Sequence, residues 1–201
     1  MTSFIILSIV ILIFSIVVHE VAHGWMAYQL GDPTAKSMGR LTLNPIPHID
    51  LMGSVILPTL LVVTNSPILF GWAKPVPYNP YNLQGDYPEL KVAIAGPISN
   101  ILLAIGFGLL LRLGVASELA DLFLYGVLIN CVLAIFNLVP IPPLDGSKIL
   151  FDLLPYEYQG LRDSLERYGF FLVILFVIFG WPLIAPFIYG LAEIIIGSNI
   201  V

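Results

Sequence analysis

Charge is what this sequence has least of. Only 10% of its 201 residues are Asp, Glu, Lys or Arg, against 58% hydrophobic, and the mean hydropathy is +0.96. A water-soluble domain of this size has no use for so much apolar surface. Cysteine is nearly absent too. Cys131 is alone, so no intrachain disulfide forms, and its place in the apolar run around Val127 to Phe136 reads as small packing. The eight basic residues form no patch for nucleic acid. The net charge of -5 says less, because within a membrane the placement of Lys and Arg matters more than their sum. Long polar stretches, internal repeats and low-complexity tracts are also missing. Residues 1–201 therefore read as a single membrane-embedded domain.

What the sequence does have is a series of apolar segments near the roughly 20 residues that a helix needs to cross a bilayer. The first runs from about Phe4 to Leu30 and stops at Gly31, Asp32 and Pro33. No basic residue precedes it and no small-residue cleavage site follows, so it reads as a retained helix and not a removable signal peptide. A mixed stretch, KSMGRLTLNPIPHID, leads to an apolar piece from Leu51 to Phe70, interrupted by Pro58 and Pro67. The proline-rich GWAKPVPYNPYNLQGDYPE reads as ordered loop. Apolar segments follow from about Leu90 to Leu113 and from Leu119 to Val139. The last, Tyr168 to Val201, is broken at Gly180, Trp181 and Pro182, which suits either one kinked crossing or a hairpin. The expected fold is an all-α polytopic membrane bundle.

Within the first segment stands HEVAH, His19 to His23. Residues four apart share a helical face, so both imidazoles can reach one metal, while Glu20 flanks that face where it can touch a water on the metal. Chance would produce this pattern in roughly one chain in a hundred of this length. Each ionisable side chain in a membrane helix costs about 2.5–3.5 kcal/mol on insertion scales, and here three fall within five residues. A polar cluster that merely fastens helices, or a metal site in a transporter, would also place such residues there. A catalytic zinc normally takes three protein ligands. His48, in NPIPHID, is the one remaining histidine, and Asp145, in NLVPIPPLDG, is the best-placed carboxylate. The prolines before Asp145 impose extended backbone, which at membrane depth must be buried in protein or line a cavity. A plain helix-ending turn, Pro-Leu-Asp-Gly, is the competing reading.

HEVAH in an apolar helix, AGPISN at Ala95 to Asn100 and NLVPIPPLDG at Asn137 to Gly146 together resemble the three signatures of the site-2 protease family of intramembrane metalloproteases, in that family's order. The resemblance spans residues 19 to 146. It implies one zinc ion per chain held by His19, His23 and Asp145, with Glu20 as general base. It also implies that Asn137 and Asn100 lie near the site, Asn100 as a substrate-binding residue; Asn137 is either a catalytic donor to the oxyanion or the substrate backbone, or a fastener of the non-helical ledge. The expected substrates are membrane proteins cut within or beside their transmembrane segments, with the lipid bilayer as the other partner. No loop is long enough for a PDZ-like or CBS-like domain, so the chain resembles a short branch of the family. A membrane metal-binding or metal-transport protein remains the alternative, and a catalytically dead scaffold a third reading. The sequence does not indicate an oligomeric state.

Ligands must meet at one depth, which constrains the topology. His19 and His23 lie late in the first segment and Asp145 lies past the end of the Leu119 segment, so those two segments run in the same direction. An odd number of full crossings separates them, and the Leu90 segment supplies one. The Leu51 to Phe70 piece should therefore dip in and return, or lie buried against the core, as a re-entrant or extended element. Lys36, Arg40, Lys74, Lys91, Lys148, Arg162 and Arg167 then share one side and only Arg112 lies on the other. The positive-inside rule gives an extracytoplasmic N-terminus in the cell membrane and a metal nearer the cytoplasm. His48 and Asp50 either line a water path or pair within their loop. The Leu51 to Phe70 piece and Gly71 to Pro77 are candidates to hold an unwound substrate as an added strand.

Overall fold

A computed structural model describes residues 2–66 and 71–197, and every regular element among them is helical. Helix α1, Thr2–Gln29, is uninterrupted. It ends where Gly31 turns left-handed at φ +103° and the Asp32 N–H closes onto the Ala27 carbonyl, as the Gly-Asp-Pro stop predicts. The short α2, Thr34–Ser37, follows. Leu51–Ile56 is a π-helical stretch that runs directly into α3, Leu57–Val63.

Together the Leu51–Val63 helix rises about 20 Å, well short of the roughly 30 Å hydrocarbon core. The described part of the expected re-entrant piece is thus shorter than a full crossing needs. It is coiled rather than extended, and Leu51, Met52, Leu60, Val62 and Val63 are exposed, so it does not lie buried against the core. Its expected end, residues 67–70, lies outside the described residues. From Gly71 to Tyr78 the chain is an extended strap. The Trp72 N–H donates to the Gly53 carbonyl and the Lys74 N–H to the His48 carbonyl.

The remaining helices are α4, Pro88–Arg112; α5, Ala120–Asn137; α6, Asp145–Leu153; α7, Gln159–Leu175; and α8, Trp181–Ile196. A π-helical turn at Phe176–Gly180 joins α7 to α8 without a reversal, so the last apolar region is one continuous path, Gln159–Ile196, and not a hairpin. Among the described residues, four helices are long and apolar enough to cross a membrane: Ser3–Gln29, Pro88–Arg112, Ser117–Asn137 and Gln159–Ile196.

Contacts fix their directions. Ser15 and Asn100, then His23 and Val92, pair α1 with α4 in antiparallel sense. Asn100 meets Asn130, while the site of a Cβ on Gly126 abuts Phe107, so α5 runs against α4 and alongside α1. The Arg112 guanidinium at the end of α4 donates to the Ile194 and Ile196 carbonyls at the end of α8. Ala104, Val127, Cys131, Ile184, Ile188 and Ala192 form a dry core between α4, α5 and α8, where Cys131 is a packing residue. Phe4, Ile6, Ile9, Val10 and Ile13 point outward from α1, as suits a helix facing lipid. The inward stripe of that same helix is polar: Ser8, Ser15, His19 and His23 are buried at spacings of seven, four and four.

Candidate metal centre

Two turns from the end of α1, the imidazoles of His19 and His23 stand edge to face, with ring centroids 4.6 Å apart. Their Nε2 atoms are 3.0 Å apart. Asp145, the first residue of α6, brings Oδ2 to 3.1 Å from His19 Nε2 and 3.0 Å from His23 Nε2. All three side chains are buried. A tetrahedral zinc at about 2.0–2.1 Å from each ligand holds neighbouring donors about 3.3 Å apart, so two nitrogens and one carboxylate oxygen at this spacing fit that ion and its usual ligand set. Among the described residues this is the one His/Cys/Asp/Glu group of three or more so placed.

The backbone makes room for the triad. Gly96 of α4 lies so close that a Cβ there would meet His23 Nε2 and come within 2.6 Å of His19 Nε2. Any side chain at 96 would fill the space between the imidazoles and α4. The AGP motif is therefore a cradle, and Pro97 beside it removes one rung of the helix ladder. Asp145 is delivered by the proline ledge after α5, which includes a cis peptide between Pro142 and Pro143. A Cβ on Gly146 would collide with the Leu138 carbonyl, so glycine lets α6 start hard against the end of α5. The Lys148 ammonium lies 3.4 Å from Asp145 Oδ1 and 5.7 Å from the centre of the Tyr78 ring.

Each histidine also uses its far nitrogen. His23 Nδ1 lies 2.7 Å from the Val92 carbonyl, which can only accept, so that nitrogen carries the proton and Nε2 presents a lone pair. His19 Nδ1 lies 2.6 Å from Asn100 Oδ1. Glu20, half-buried, accepts the Val76 N–H of the strap at 2.8 Å through Oε2. The buried Arg40 guanidinium clamps that strap by donating to the Lys74 and Pro75 carbonyls at 2.9 and 3.3 Å. Beside Lys148 opens a cavity of about 490 Å³, bounded by Tyr78 of the strap, the ledge prolines Pro142 and Pro143, and Arg162 and Phe170 of α7.

Of the residues singled out from sequence, His19, His23 and Asp145 come together, with Glu20 next in line on α1. Asn100 is fully buried against His19. Asn137 donates one amide hydrogen to the Leu133 carbonyl one turn back on its own helix. His48 bonds the Thr42 carbonyl and Asp50 accepts the Gly53 N–H as a helix cap, so both serve their loop. Asn130 has no part in the sequence reading, and Arg40 and Lys148 enter it only through the distribution of charge, not as site residues. A lone amide in an apolar helix is a signal of the same kind as HEVAH, though weaker, whereas the partners of Arg40 lie 34 and 35 residues away and leave no local trace.

Comparison with known proteins now decides the family. A model of peptidase family M50 matches residues 113–180, which takes in α5, the proline ledge and Asp145. "Putative zinc metalloprotease YwhC" of Bacillus subtilis is 40% identical over 186 residues, 87% of this chain and 80% of that protein. The chain belongs to peptidase family M50. This M50 member is therefore a hydrolase of the zinc metalloprotease class. "Putative zinc metalloprotease Rip2" of Mycolicibacterium smegmatis is 29% identical over 172 residues, 82% of this chain and 63% of that protein. "Zinc metalloprotease MJ0392" of Methanocaldococcus jannaschii is 25% identical over 180 residues, of which it is the longer partner, since they make up 42% of its length and 85% of this chain. No solved structure matches the M50 chain.

Proposed function

We propose that the protein is an intramembrane zinc endopeptidase, which hydrolyses peptide bonds within or beside the transmembrane segments of membrane proteins. The observation that carries this reading is the convergence of His19 Nε2, His23 Nε2 and Asp145 Oδ2 inside a bundle of membrane-length helices, with a glutamate next to the first histidine. Zinc, one ion per chain, would serve there as a Lewis acid on the scissile carbonyl and bring the pKa of a water down toward about 7. Glu20 is the general base. Its Oε2 is taken by the Val76 N–H, so Oε1 is the oxygen that accepts the proton from water as the water oxygen attacks the carbonyl carbon. The same oxygen hands that proton to the amide nitrogen as the C–N bond breaks, which balances the reaction without any further reagent. Asn137 keeps one amide hydrogen unused by the Leu133 bond, and that hydrogen is the donor to the substrate carbonyl or backbone. The strap from Gly71 to Pro77 presents extended backbone beside Glu20, the form to which an unwound substrate segment pairs as an added strand. Asn100 acts on the substrate only through His19. The metal end of the bundle faces the cytoplasm, with the N-terminus on the other side of the cell membrane.

The test uses purified protein in lipid, wild type beside Glu20→Gln, assayed for zinc content and for cleavage of a transmembrane substrate and of a soluble one. The expected result is about one zinc in both, with cleavage of the transmembrane substrate falling by about 10²–10⁴-fold in the variant, the usual weight of a general base. Equal cleavage by the two proteins would remove Glu20 from the mechanism. Efficient cleavage of the soluble substrate alone would remove the intramembrane assignment.

A further inference from the structure

Asn130 touches neither the histidines nor the carboxylate, yet a single amide, Asn100, links it to His19. It sits in α5, seven residues before Asn137, and is fully buried, as are Asn100 and Ser15. Its Nδ2 lies 2.8 Å from the Gly126 carbonyl and 2.9 Å from Ser15 Oγ, and its Oδ1 lies 2.9 Å from Asn100 Nδ2. Asn100 Nδ2 also faces the Ser15 carbonyl at 3.4 Å, and Asn100 Oδ1 lies 2.6 Å from His19 Nδ1.

The direction of this chain follows from its ends. A backbone carbonyl can only accept, so the Asn130 atom facing Gly126 must be the amide nitrogen. Its oxygen then faces Asn100, which must answer with its own nitrogen, and the Ser15 carbonyl favours the same choice. The oxygen of Asn100 is left for His19, whose Nδ1 must carry the proton. A neutral imidazole has one N–H, so Nε2 is a bare lone pair pointed at Asp145 and His23. Reverse either amide and two acceptors or two donors meet in a buried site, where each unmatched group costs about 1–3 kcal/mol.

We propose that Asn130 is a positioning residue that locks Asn100, and through it His19, in the metal-binding tautomer. The inference rests on the metal-site reading above and adds to it a residue on a third helix that never meets the metal. Ser15 has a lesser part, because the Gly126 carbonyl alone suffices to orient Asn130. A carboxylate at position 100 would make Asn130 dispensable, since it accepts from His19 whichever way it turns.

Zinc affinity by competition with a chelator, and the visible spectrum of the cobalt-substituted protein, read the proposal without reference to proteolysis. Asn130→Leu should bind zinc about tenfold more weakly, the lower end of what outer partners of metal ligands contribute, with a changed cobalt spectrum. The double variant N130L/N100D should regain the wild-type affinity, whereas S15A should stay within about threefold of it. A merely structural Asn130 would lower the melting temperature of N130L, leave zinc affinity unchanged and show no rescue, which would overturn the proposal while the zinc site stood. Failure of the wild type itself to bind zinc would take away the metal reading and this proposal with it. If N130L does not fold, Asn130→Asp decides. It keeps an acceptor toward Asn100, so affinity within about threefold of wild type supports the lock and a tenfold loss refutes it.

Discussion

Asp32 shows how much one side chain can hold outside the metal centre. It is fully buried just past the end of α1, and its carboxylate accepts from the Thr34 N–H and hydroxyl, the Asn79 N–H and the Asn82 amide. Burial raises its pKa, but the hydrogen bonds from Thr34, Asn82 and Asn79 outweigh it and hold the group below the ordinary aspartate value. A pKa depressed on folding means stability that is complete above the unfolded value of about 4 and drains away as pH falls through the lower folded value. Asp32→Asn should therefore cost about 1–3 kcal/mol at pH 7, seen as a lower melting temperature in detergent, and the difference from wild type should shrink below pH 4. Melting curves that ran parallel from pH 7 to pH 3 would contradict this. At this scale the sequence is legible where a motif names both partners, as HEVAH does. It is silent where the partner is remote: nothing near Asp32 points to Asn79 or Asn82, and nothing near Glu20 points to Val76, 56 residues away.

At the scale of elements, α4 is the wall against which the site is built, and its glycines are not equivalent. Gly96→Ala should abolish tight zinc binding, by about two orders of magnitude or more, because the methyl group would occupy the space of the His23 ring edge. Gly106→Ala, on the same helix with nothing within 4 Å of the new carbon, should bind zinc as wild type and gain up to about 1 kcal/mol in stability. Metal titration of the two side by side checks the contrast, and equal binding would mean that α4 yields more readily than its packing implies. The helix ends at Gly31 and the ledge before Asp145 were both readable, because glycine and proline leave few backbone options. The coiled form of Leu51–Val63 was not, since Pro58 near the start of a helical turn is tolerated as readily as in an extended strand.

Over the whole molecule, α1 and α5 run in the same direction with α4 against them, the order that the topology proposed from the ligands and from Lys and Arg requires. Single cysteines introduced at positions 36 and 86 in a Cys131→Ala background should label from the same side of the membrane, and one at position 115 from the other. Labelling of 36 and 86 from opposite faces would require the Leu51–Val63 helix to cross and would dismantle the arrangement. What composition could not tell is which helix faces which: the seam of α1 with α4 depends on Ser15, His19 and His23 meeting Asn100 and Val92, a match of two polar stripes that hydropathy averages erase. Both imidazoles are tethered to α4 through their Nδ1 atoms, one to a side chain and one to the main chain, two turns of α4 apart. The pair works like the teeth of a spline. Sliding α1 by one residue, about 1.5 Å, would pull both rings out of mesh at once. Grip on a metal thereby becomes a gauge of helix alignment, and a bilayer thin or thick enough to tilt α1 against α4 would be felt first at the two histidines.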